Sequence, residues 1–96
     1  MLVRIVKLHI DKKKSKEFEV FFSQNKSKII AFEGCLHVEL LRENETNSIY
    51  FTYSHWKHNS NLENYRNSKL FGDIWKKTKT YFNGKPEAWS LTKMNQ

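Results

Sequence analysis

At 96 residues the chain is expected to form one domain spanning 1–96, and a domain this small buries only about 60–65% of its unfolded surface, so a partner subunit would help it. Hydrophobic residues at 39% and aromatics at 15% exclude a disordered chain, and the formal charge of +7 is read as a solvated face at Lys12–Lys14 and Lys76–Lys79. No apolar run approaches the roughly 18 residues of a membrane span, the charged opening MLVRIVKLHI leads to no cleavage site, and the lone Cys35 cannot form an internal disulfide, all of which point to a cytoplasmic protein without membrane association.

Residues 2–10 set Leu2, Arg4, Val6, Leu8 and Ile10 against Val3, Ile5, Lys7 and His9. Both sets are largely apolar, which predicts a strand buried on two faces. From about Ser15 to Phe32 the apolar residues Phe18, Phe21, Phe22, Ile29 and Phe32 fall at spacings that place one stripe on a helix. Glu33-Gly34 is expected to end it, since glycine takes the left-handed conformation past a helix C-terminus.

The next segment, Cys35 to Arg42, alternates Leu36, Val38 and Leu40 against His37, Glu39 and Leu41, a strand with one apolar face. A polar turn over 43–48 then joins it in a hairpin to 49–56, IYFTYSHW, which is rich in β-formers and lacks glycine and proline.

A second helix is predicted from near Ser60, with Ser60 as N-cap and Glu63 completing a capping box. It should bend or break around Asn67-Ser68, while Leu70, Phe71, Ile74, Trp75 and Thr78 continue one face. Asn83-Gly84-Lys85-Pro86 stops it, and a last strand runs from Glu87 to Met94. The order βαββαβ predicts a ferredoxin-like α+β fold, a four-stranded antiparallel sheet with two helices on one face. The other face would carry Val3, Ile5, Phe51, Tyr53 and Trp89 or Leu91, too much apolar surface to leave in water. A two-fold homodimer is the expected solution.

Gly34-Cys35 before a strand, an aromatic strand ending in Trp56, then Leu62, Tyr65, Ser68 and Phe71, and finally Pro86-Glu87-Ala88-Trp89 form a pattern along nearly the whole chain. This pattern resembles the antibiotic biosynthesis monooxygenase (ABM) domain family of dimeric α+β barrels. The resemblance implies a homodimer whose sheets face one another and a pocket in each subunit between sheet and helices. It also implies oxidation of an aromatic or quinone-like small molecule without a cofactor, heme degradation, or binding without assigned activity.

Heme-degrading relatives carry an Asn on the first strand and a Trp and a His on the second helix; the matching positions here are Val6, Tyr65 and Trp75. Valine cannot hydrogen-bond an iron-bound oxygen species and an indole does not ligate iron as an imidazole does, so that branch is not expected. Quinone-type relatives place a Glu two residues before the strand-end Trp and a His on the second helix, where this chain has Ser54 and Tyr65. What remains is an aromatic pocket with Tyr65 as hydrogen-bond donor and Trp75 and Trp56 as walls, suited to a flat aromatic ligand.

No metal site is expected, because His55 and His58 straddle a strand end and a turn and a third ligand would have to come from His9, His37 or Cys35. His37, on a strand face with Glu39, is the best lone acid–base or ligand-contacting histidine. Two other functions share the fold: a ligand-binding dimer without catalysis, and an RNA-binding module. The chain argues against RNA, because the third strand lacks a basic-Gly-aromatic pattern and the first presents no aromatic opposite Tyr50 or Tyr53.

Overall fold

Alternating side chains along the first strand, β1 (Leu2–His9), send Val6 and Leu8 to one side and Val3 and Ile5 to the other. In the computed structural model, which describes residues 1–95, this strand lies inside a four-stranded antiparallel sheet. The remaining elements are α1 (Ser15–Ile30), β2 (Cys35–Arg42), β3 (Ile49–Trp56), α2 (Asn59–Arg66), α3 (Lys69–Lys79) and β4 (Glu87–Thr92). The sheet order β2-β3-β1-β4 is the ferredoxin-like arrangement. Ile5 lies opposite Tyr53 on one side and Trp89 on the other, which puts all three on the face turned away from the helices.

The helix-side face and α1–α3 enclose two groups of buried side chains. Leu8, Ile10, Phe18, Tyr50 and Tyr81 form one, and Ile29, Val38, Trp56, Leu62 and Tyr65 form the other. Phe18 packs edge-on against Tyr50 at 5.1 Å. The Tyr50 hydroxyl donates to the Glu19 carboxylate, and burial, reinforced by that carboxylate, pushes the phenol above its ordinary pKa.

Three local details differ from the sequence-based expectations, and the break expected in the second helix is present. The second helix is two helices, α2 and α3, separated at Asn67-Ser68; Ser68 is the N-cap of α3 and its hydroxyl accepts from the Phe71 amide at 3.1 Å. The capping box at Ser60 does not form. Instead α2 starts at Asn59 behind an extended His58, and the Glu63 carboxylate accepts from Arg66 at 3.2 Å, one turn on.

In β2 a bulge between Cys35 and His37 turns Leu36 outward, leaving it 55% exposed, while Cys35 packs against the Trp56 group. The fourth strand ends at Thr92 rather than Met94.

Helix α1 stops at Ile30, and Gly34 sits beyond it in the turn to β2 with φ of 86°. Only glycine suits that backbone without strain, and a Cβ there would also collide with the Asn61 side chain. The Gly34 carbonyl accepts from the Lys57 amide at 2.8 Å, so this turn locks onto the junction between β3 and α2. Among the described residues no helix is long and apolar enough to cross a membrane.

Candidate functional site

A cavity of about 290 Å³ lies between the helix-side face of the sheet and the helices α2 and α3. Its floor is made by Arg4 and Val6 of β1, Thr52 and Ser54 of β3 and Ala88 of β4. On β1 and on β3 the two floor residues are two apart, so the pleat aims them at the same side. Leu62 and Tyr65 of α2 and Phe71, Ile74 and Trp75 of α3 form the roof. Every residue of β4 is exposed, and Ala88 is its residue in the cavity lining.

Two aromatic stacks wall the cavity. Trp56 and Tyr65 stack at 5.1 Å with 30° between their planes, and Phe71 and Trp75 at 5.8 Å with 12°. Trp56 is held from behind: its indole nitrogen donates to the Ser54 hydroxyl at 3.0 Å, which satisfies the one polar group of an otherwise buried ring. Phe32 from the α1–β2 turn meets Tyr65 edge-on at 5.3 Å.

Burial raises the pKa of the Tyr65 phenol far above its ordinary value, with the nearby Cys35 thiol a second cause and no hydrogen bond contributing. The hydroxyl is therefore a neutral donor across the whole physiological range. Burial likewise raises the Cys35 thiol, opposed in part by the His37 backbone. Such a thiol is a poor nucleophile.

Of the residues expected to contact a ligand, Tyr65, Trp75 and Trp56 all line this cavity, and the structure brings them together. His37 does not join them. It occupies the opposite face of the sheet, 3.4 Å from Glu39 and beside Tyr53 and His55. Period-two alternation places His37 and Val38 on different faces, and Val38 is the one turned to the helices. Among the described residues no group of three His, Cys, Asp or Glu side chains is placed to hold a metal ion.

Arg4 and Arg66 are lining residues that motif reading passes over. A signal is present: Arg4 is the single charge in the otherwise apolar set Leu2, Val6, Leu8, Ile10 of the first strand. Its guanidinium donates to the Ser90 hydroxyl at 3.0 Å, and its pKa is lowered by burial first and by the charge of Arg66 second, with Glu63 acting in the opposite sense. Among the described lining residues the ionisable groups are Arg4, Tyr65 and Arg66.

The fold recurs in solved structures. A conserved protein from Methanosarcina mazei Go1 superposes with a TM-score of 0.89 at 21% identity, over 98% of this chain and 94% of its own. A putative antibiotic biosynthesis monooxygenase from Nitrosomonas europaea matches with a TM-score of 0.87 at 14% identity, over 99% and 100%. SnoaB, a cofactor-independent oxygenase from Streptomyces nogalater whose structure is that of a point mutant, matches with a TM-score of 0.87 at 15% identity, over 99% and 94%. At such identities these likenesses concern the fold alone. No curated protein matches the sequence. The sequence model described as antibiotic biosynthesis monooxygenase matches residues 1–77 of the 96, and on that match the chain belongs to the antibiotic biosynthesis monooxygenase family.

Proposed function

We propose that the protein is a small oxygenase that acts without a cofactor on a flat aromatic or quinone-like molecule held in the cavity beneath α2 and α3. The observation that carries this reading is the pairing of two aromatic stacks with one rigid, neutral hydroxyl donor, Tyr65, in a cavity of about 290 Å³. That volume equals roughly ten waters at about 30 Å³ each, at the lower end of ligand pockets. It suits a few fused rings rather than a bulky ligand.

The chemistry balances without an outside reductant. A ring methylene conjugated to a carbonyl gives up two hydrogens and takes one atom of dioxygen to become a second carbonyl, while the other oxygen atom leaves with both hydrogens as water. Trp56, Tyr65 and Trp75 hold the ring plane, and the Tyr65 hydroxyl donates to the carbonyl oxygen, where charge accumulates as the enolate forms. With no carboxylate or imidazole among the described lining residues, water takes the methylene proton as the enolate forms.

Anthrone has this methylene–carbonyl arrangement. Oxygen uptake on mixing it with protein should exceed the buffer rate, scale with protein concentration and consume one dioxygen per anthraquinone formed. A rate equal to buffer would overturn catalysis on this class.

One observation favours a second reading, ligand binding without turnover. Neither a carboxylate nor an imidazole is among the described lining residues, so no side-chain base stands beside the substrate carbon. Tight calorimetric binding of anthraquinone without oxygen uptake on anthrone would select it.

The reading includes a homodimer through the outer sheet face. Trp89 and Leu91, each 44% exposed, share that face with Val3, Ile5, Phe51 and Tyr53. His55, also on it, has a buried Nε2 without a hydrogen-bond partner among the described residues, and buried polar atoms are normally paired. Light scattering at micromolar concentration should give twice the chain mass of 11.6 kDa; a single-chain mass would remove the dimer.

A further inference from the structure

We propose that the ligand is an aromatic acid, its rings between the aromatic stacks and its anionic group on Arg4 and Arg66 at one end of the cavity. The inference rests on the cavity being a ligand site and goes further by fixing the charge of what it takes. Arg4 rises from the sheet at the start of β1, Arg66 descends from the last turn of α2, and both line the same space.

The positive charge of the two guanidiniums is only partly matched among the described residues. Arg4 offers five N–H donors, and the one side-chain partner it meets among the described residues is the Ser90 hydroxyl, a neutral group on the exposed strand β4. It has no ion pair with a carboxylate among the described residues, although it is half-buried. Arg66 is exposed at the mouth and is tied to Glu63 at 3.2 Å. Two guanidiniums thus face one carboxylate, and the local excess of positive charge borders a space with no acidic lining residue among those described.

Like charges brought together at a partly desolvated site are unfavourable unless an anion joins them. The mutual effect is visible in Arg4, whose pKa is depressed by the charge of Arg66 as well as by burial. A carboxylate or other planar anion between the two would complement the guanidinium fork bidentately and relieve that repulsion. The aromatic part of the same molecule then extends inward to Tyr65 and Trp75.

The test uses two probes of the same size that differ in charge, 2-naphthoate and 2-naphthamide, titrated calorimetrically into the full chain at neutral pH. Naphthoate should bind about tenfold or more tightly than naphthamide, the scale expected of a hydrogen bond to a charged group, and the gap should narrow with added salt. Arg66→Gln, at an exposed position, and Arg4→Gln should each collapse the gap between the two probes. Glu63→Gln should widen it by releasing Arg66, a response that a purely structural role for these residues would not give. Equal affinities would overturn the anionic assignment while leaving the aromatic cavity intact. Binding of neither probe would overturn the assignment together with the cavity reading, and a gap that survives both arginine variants would overturn it by placing the anion on the surface lysines instead.

Discussion

Trp56, the last residue of β3, stacks on Tyr65 of α2 at 5.1 Å, so the sheet and the helix that covers it are joined through the two rings that also bound the cavity. The two rings have separable roles. Trp56 is 1% exposed and its indole is anchored on Ser54, so Trp56→Ala should cost about 3–5 kcal/mol, the usual range for a buried large aromatic. Tyr65→Phe keeps the ring and removes a hydroxyl that has no hydrogen bond among the described residues, so its stability should stay within about 1 kcal/mol of the parent. Urea unfolding of both variants checks the contrast, and a strongly destabilised Tyr65→Phe would show that the hydroxyl serves the fold.

Alkaline stability carries the sign of the Tyr65 shift. Its folded pKa is raised above the ordinary value of 10, so below pH 10 both folded and unfolded chains hold the proton. Above it the unfolded chain releases the proton while the folded one retains it, and stability falls as pH rises toward the folded value. Tyr50, also raised, adds to the fall. Tyr65→Phe should therefore lose less stability than the parent between about pH 9 and pH 11 in matched urea titrations. Parallel curves would mean that the phenol is not protected by burial.

Gly34→Ala should destabilise the protein by more than about 1 kcal/mol, because a positive φ and the Asn61 side chain both oppose a Cβ. Removing one of the two obstacles should recover part of the loss, so the double variant Gly34→Ala, Asn61→Ala should unfold at a higher denaturant concentration than Gly34→Ala alone. Additive losses would show that Asn61 is not the obstacle.

Hemin should survive incubation with the protein and a reductant, its Soret absorbance matching that of a control protein. Val6 and Trp75, the positions aligned with the Asn and His of heme-degrading relatives, both line the cavity and neither supplies their chemistry. Protein-dependent bleaching with iron release would contradict this.

Much of the fold is legible in the sequence because its signals are local and redundant. The bounds of the strands 35–42 and 49–56 coincide with the alternation of the first, the run of β-formers in the second and the polar turn between them. The break at Asn67-Ser68 follows from a serine better suited to a cap than to a helix interior. The start of α2 is legible to within a residue but its cap is not, because Ser60 and Glu63 fit a local capping pattern, whereas Gly34 lies against Asn61 and accepts from the Lys57 amide where the chain turns.

The site is half legible for a related reason. Helical spacing puts Trp75 on one stripe with Leu70, Phe71 and Ile74, while Tyr65 and Trp56 come from the family resemblance. His37 stands out by its chemistry beside Glu39, but the alternation that turns Val38 to the helices turns that pair to the opposite face. Arg4 and Arg66 are distant in sequence, and only the folding of α2 over β1 reveals that they share a cavity.

The most direct test of the aromatic site is a crystal structure of the protein soaked with anthraquinone, the air-stable product of the proposed reaction. The account predicts density for the ring system beneath α2 and α3, flanked by Trp75 and Tyr65, with a carbonyl oxygen within hydrogen-bond distance of the Tyr65 hydroxyl. A ligand bound only outside this cavity, or side chains closed over an empty space that anthraquinone does not enter, would contradict it.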